Sequence, residues 1–184
     1  MSQPPTPQDP AAQRPSAPSP MERQGALTRD LATVLLSSLG LTEQWRHVGA
    51  AFLPHGEEWA GRLVITDRDG TSRGGDSVFA VDSQVTLLLD ALQHCTAEQR
   101  QAFVSLRLDA TRPPEDPDRI ALGADLVYDQ DPGDFDGLGG IDADYARALV
   151  GRVGADRVPD WVRGPAAGEW VLVGPPLVPA GTGG

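Results

Sequence analysis

The chain contains no lysine. All 15 of its basic side chains are arginine, set against 26 Asp and Glu, for a formal net charge of -11 and a pI near 4.5. A nucleic-acid backbone is held by cations that displace its counterions, and no basic block is present to do so, which excludes a nucleic-acid partner. Only one cysteine occurs, Cys95, so neither an intramolecular disulfide nor a multi-cysteine zinc site can form. No stretch approaches the roughly 18 apolar residues of a membrane span. The N-terminus lacks the basic and apolar regions of a secretory signal. One thiol and no export signal lead to the expectation of a soluble, cytoplasmic protein without a membrane partner. The all-arginine usage, with abundant Ala, Gly and Pro, fits a GC-rich genome. What remains is an ordinary globular composition, 40% hydrophobic and 22% charged, in a length suited to one domain.

Proline marks the ends. Residues 1–20 hold seven of the 17 prolines, and a segment with so little apolar surface cannot offset its ordering entropy. We therefore expect a disordered Pro-rich arm over 1–21, one domain over 22–163, and a Pro/Gly-rich tail over 164–184. Within the tail, Trp170 to Val173 could dock as a short strand.

Between those ends, hydrophobic periodicity predicts eight elements. Leu27, Leu31, Val34 and Leu35 form one face of a helix from about Met21 to Leu39, stopped by Gly40. Trp45 to Leu53 alternates as a strand, with Trp45, His47, Gly49 and Ala51 on one face. A turn at Pro54-His55-Gly56 leads to a second strand, Trp59 to Thr66. Asp69-Gly70 signals a hairpin and a third strand covers Ser77 to Val81. A second helix starts at Asp82 or Ser83, buries Val85, Leu88, Leu89 and Leu92, and ends near His94-Cys95, with one more short turn capped by Thr96 and reaching Arg100 and Gln101. Two strands follow, Val104 to Asp109 and Ile120 to Tyr128. A last helix, capped by Asp142, buries Tyr145, Leu149 and Val153. The order α-β-β-β-α-β-β-α predicts an α+β fold, an antiparallel sheet with helices packed on it and covering one face.

The charge is not spread evenly. Eleven acids lie between Asp109 and Asp144, opposed only by Arg112 and Arg119, so this segment carries -9 of the -11. It does not make an EF-hand loop: from Asp129 the twelfth residue is Gly140, and from Asp134 it is Tyr145, where a Glu is needed. Three uses remain open: an irregular cation site, a docking surface for a basic protein steered by the clustered field, and a solvated loop that aids solubility. His47, His55 and His94 share no i, i+4 step that would pair them on a helix. No nucleophile–His–acid constellation is recognisable, and Gly74-Gly75 and Gly137 to Gly140 lack the Lys of a phosphate loop. The expectation is therefore a non-catalytic protein with no cofactor and no metal. Trp45 and Trp59 read as core; Trp161 either locks the C-terminal end or anchors a partner.

Three short segments, in their order and spacing along the elements, resemble the YezG-like immunity proteins. These are antitoxins that neutralise secreted toxins of competing bacteria. Trp45-Arg46-His47-Val48 is similar to the family's W-x-x-V, Val127-Tyr128-Asp129-Gln130-Asp131-Pro132 to its Y-D-x-(D/E)-P, and Pro159-Asp160-Trp161-Val162 to the P-D-W ending of actinobacterial members. The likeness spans roughly Leu27 to Arg163. Phe135 follows the Y-D segment later than the family's aromatic does, and the Gly137–Gly140 loop is unusually Gly-rich. The resemblance implies a protein that binds a cognate toxin, expected to be basic and of the nuclease type, and blocks it sterically. Its acidic face would mimic the phosphates such a toxin binds. Candidate partner-binding residues are Asp125, Tyr128, Asp129, Asp131, Asp134, Phe135, Asp136 and Trp161. Two other readings stay open: a secretion chaperone of similar element order, and a scaffold or regulatory domain.

Overall fold

The computed structural model describes residues 17–99, 101–131, 133, 135–139 and 142–168. The arm at 1–16, the tail strand at 170–173 and Asp134 lie outside the described residues. The first helix, α1 (Pro20–Ser38), opens on a capping box. The Ser19 side chain accepts from the Glu22 amide at 3.2 Å and the Glu22 carboxylate accepts from the Ser19 amide at 2.7 Å. Pro20 occupies the first helical position, where its missing N–H costs nothing. Folded structure thus begins before residue 22, the boundary that proline content alone suggested. Gly40, at φ 54°, ends the helix region as expected.

The chain then runs through β1 (Trp45–His55), β2 (Glu58–Asp67), β3 (Ser72–Phe79), α2 (Gln84–Gln99), β4 (Ser105–Thr111), β5 (Ala121–Val127), α3 (Ala143–Val153) and α4 (Asp160–Ala166). The five strands form one antiparallel sheet in the order β3-β2-β1-β4-β5. The expected order of elements is observed, with α4 added. Several boundaries differ. Pro54 and His55 stay in β1, and the turn falls at Gly56, φ 59°. The β3 strand begins at Ser72, because Gly74 and Gly75 pair with β2 and do not form a loop. The α2 helix continues through His94-Cys95 to Gln99, since Cys95, Thr96 and Ala97 are buried and hold its last turn against the core.

Strand alternation assigns two faces. Ala50 and Phe52 of β1 pack with Leu31, Leu35, Leu89 and Leu92 of the first two helices. Ala51 and Leu53, on the opposite face, pack with Tyr145, Leu149 and Val162 of the last two. Helices therefore cover both faces, where the sequence suggested one. Trp45 changes side. A register shift between Trp45 and His47 puts an extra β1 residue opposite β2. Trp45 then joins Val48, Ile65 and Ala110 in one cluster, instead of sharing a face with His47. Such a one-residue slip moves a side chain to the other face.

The buried ends of α3 carry two polar ties. The Tyr145 hydroxyl donates to the Val104 carbonyl, and burial pushes that phenol well above its ordinary pKa. Arg152 stacks over Trp59 at 4.8 Å and donates to the Glu58 carbonyl at 2.9 Å. It also pairs with Asp90 at 3.5 Å, and Asp90 accepts the Trp59 indole N–H at 2.8 Å. Burial lowers the pKa of Arg152, and Asp90 offsets part of that shift. One buried arginine thereby joins α3, α2 and the β1–β2 hairpin.

Leu149 has no exposed surface, whereas Leu122 on β5 is 41% exposed. Leu149→Ala should cost about 2–5 kcal/mol and Leu122→Ala less than about 1 kcal/mol in urea unfolding. Equal losses would contradict this placement of the core.

Candidate partner-binding surface

Among the described residues, no helix covers the second sheet face beyond the reach of α3 and α4. Its central row reads Asp76, Arg62, Ala51, Arg107, Asp125 across β3-β2-β1-β4-β5. Acidic and basic side chains thus flank a small residue. The next row places Val64, Gly49, Asp109 and Gly123 side by side. Because Gly49 and Ala51 barely rise above the backbone, the two arginines stand as walls of a hollow of about 260 Å³, which Asp109 and Asp136 also line.

Asp136 closes one side of that hollow. Its carboxylate accepts both arms of the Arg107 fork, Nε at 2.8 Å and Nη2 at 2.9 Å. Its carbonyl accepts from Arg62. Arg62 in turn binds the Asp76 carboxylate, Nη2 at 2.9 Å. Bidentate pairing of this kind fixes geometry as well as charge. Asp136 holds a left-handed backbone, φ 51° and ψ 28°, a conformation that Asp tolerates better than most residues. It belongs to a tight turn over Phe135–Gly137, and a Cβ at Gly137 would collide with the Arg62 guanidinium. Arg107 also lies 4.7 Å above the Phe135 ring. The hydrogen bonds that Arg107 donates to Asp136 raise the Arg107 pKa, while partial burial opposes them. Nearby, His47 Nε2 lies 2.8 Å from the Asp109 carboxylate, a pair that linear spacing could not reveal.

The seven described candidate residues are scattered over the surface and beneath it. Asp125 is on β5, opposite Arg107. Tyr128, Asp129 and Trp161 come together at the end of that strand. The Trp161 indole donates to the Asp129 carbonyl at 2.9 Å, and Gln101 donates to the Tyr128 carbonyl at 3.1 Å. Tyr128 is half-buried against the first helix, and that burial raises its phenol pKa. The Y-D and P-D-W segments are thus in direct contact. Asp131 is exposed and its carboxylate accepts from the Gly133 amide at 2.9 Å. Phe135 is 3% exposed and packs under the surface, where no partner touches it directly. Asp136 is engaged by two arginines, and Asp134 lies outside the described residues. Sequence reading did not single out Arg62, Arg107 or Asp76 and did not pair His47 with Asp109, because cross-strand register is not written in local spacing.

All ten described acids from Asp109 to Asp144 are exposed. Among the described residues, no group of three His, Cys, Asp or Glu is placed to hold a metal ion, and no helix is long and apolar enough to cross a membrane. Neither a protein-family model nor a curated protein matches the chain.

Two outcomes test this geometry. Arg107→Ala should loosen the Asp136 turn, seen as faster hydrogen exchange at the Leu138 amide, which donates to the Phe135 carbonyl at 2.9 Å. Unchanged exchange would mean that the turn holds itself. Hydrogen bonds from Arg62 hold the Asp76 carboxyl below its ordinary value of 3.8. A depressed folded value contributes stability that is present above pH 3.8 and is lost as pH falls through the lower folded value. Wild type should therefore converge on Asp76→Asn in acid melts and exceed it slightly near neutrality.

Proposed function

We propose that the protein is a non-catalytic binding protein of the immunity type. It neutralises a cognate secreted toxin, of the nuclease class, by direct contact in the cytoplasm. The observation that carries this reading is the exposure of every described acid in a segment that holds -9 of the net -11. Six of them, Glu115, Asp116, Asp118, Asp125, Asp129 and Asp131, belong to β5 or its two flanking loops. A strongly negative cluster of that kind steers a basic protein toward one face and raises its rate of encounter. The contact between the Y-D and P-D-W segments, through Trp161 and Asp129, adds a rigid corner beside the cluster. Inhibition would be steric, with carboxylates in the place of substrate phosphates.

Growth rescue and pull-down with the toxin encoded beside this gene test the reading directly. Combined replacement of Asp125, Asp129 and Asp131 by Asn should lower the association rate by on the order of tenfold at low salt, and flatten its salt dependence. Asp136 is left intact in that variant, because its loss would disturb the Arg62–Arg107 hollow. Full protection with an unaltered salt profile would sink the phosphate-mimic mechanism. Co-purification with an export substrate in place of a toxin would favour the chaperone reading.

A further inference from the structure

Among the described residues, the sheet ends on one side at β5, which pairs there only with β4. The Val127 carbonyl faces inward, accepting from the Val104 amide at 2.6 Å just ahead of β4. Backbone groups alternate in direction along an antiparallel strand. Those of Asp125 and Gly123 therefore share the β4 side, and those of Leu126, Ala124 and Leu122 lie along the outer edge. Residues 121–125 are all exposed. An outer edge of unpaired N–H and C=O groups is a template for another strand, and proteins usually blunt it with proline, lysine or a bulge. Here β5 contains neither proline nor lysine, and its register with β4 is unbroken from Thr111↔Ala121 to Ser105↔Val127.

The opposite edge, β3, is less suited. Its charged side chains are neutralised by β2 through the Arg73–Asp67 and Arg62–Asp76 pairs, and Gly74 and Gly75 offer nothing to grip. Around β5 the charge is predominantly negative, with Glu115, Asp116 and Asp118 before it against Arg119, Asp125 on it, and Asp129 and Asp131 after it. Ile120 and Leu122, each 41% exposed, add apolar contact. A second copy of this chain would set acid against acid, which is unfavourable across a strand pair.

We propose that the β5 edge receives an extended, Arg- or Lys-bearing segment of the toxin as a sixth strand. Backbone hydrogen bonds would supply the grip and the flanking carboxylates the choice of partner. The identity of the partner rests on the immunity reading; the edge chemistry does not.

The test uses the full chain and a short synthetic peptide alternating Arg and Val, with a Glu-Val peptide as control, followed by residue-resolved hydrogen exchange. The Arg-Val peptide should slow exchange at Leu122, Ala124 and Leu126 by about tenfold or more, with little change at Gly123 and Asp125, and the Glu-Val peptide should not. Ala124→Pro removes the central outward donor at an edge position that tolerates proline. It should keep the melting profile and lose the peptide. Should that variant unfold, the alternating exchange pattern of the wild type still decides. Equal effects of the two peptides, protection at β3, or protection of the same amides already in the free chain would each overturn the proposal. If folded Ala124→Pro still rescues growth from the toxin, the edge proposal falls and the immunity reading stands. If the peptide seats on β5 but no toxin is neutralised, the immunity reading falls and the edge site stands.

Discussion

The fold depends on burying its central strand on both faces. Residues Ala50 to Leu53 of β1 are all buried, each at most 6% exposed. Alternation sends Ala50 and Phe52 toward one pair of helices and Ala51 and Leu53 toward the other. A strand buried on both sides reads as a continuous apolar run, and this one does. Its neighbours must then leave space. Gly61 lies between the Phe52 and Phe79 rings, whose centroids are 5.7 Å apart, and a Cβ there would come within 2.7 Å of Phe79. The second helical layer reaches only one end of its face, so the small residues at Gly49 and Ala51 are left at the floor of an open hollow.

Arginine organises what surrounds that strand. Arg152, stacked on Trp59 and bound to Asp90, joins three elements from within the structure. Arg62 and Arg107 act at the surface, where single ion pairs contribute little, yet together they hold one turn by its carbonyl and its carboxylate. The planar, forked guanidinium suits these bidentate and stacked roles in a way lysine does not. The acidic excess thus divides into two populations. Asp136, Asp109 and Asp144 pair with Arg107, His47 and Arg147, while the carboxylates beside β5 colour its edge.

Much of the fold was legible from periodicity. The stripes on α1, α2 and α3, the Asp142 cap, the Gly40 stop and the alternation of β1, β2 and β4 all follow from local chemistry. The misread boundaries have a common cause. Gly74-Gly75, Pro54 and the polar His94 look like breaks, but pairing with β2 or burial against the core outweighs their local preferences. The candidate site was half legible. Charge clustering pointed to Asp125, Asp129 and Asp131, but nothing in the order of residues could show that Phe135 packs inward or that Asp136 is clasped by two arginines.

By itself, then, the sequence determined the class of fold, the order of its elements and the concentration of negative charge in one stretch, because each of these depends on spacing of a few residues or on composition. Tertiary structure alone decided which strands lie at the edges of the sheet, how Trp45 crossed to the other face through a one-residue bulge, and which acids were taken up by arginines. Those outcomes depend on cross-strand register, on pairs such as Arg107 with Asp136 that lie 29 positions apart, and on the space each helix leaves uncovered.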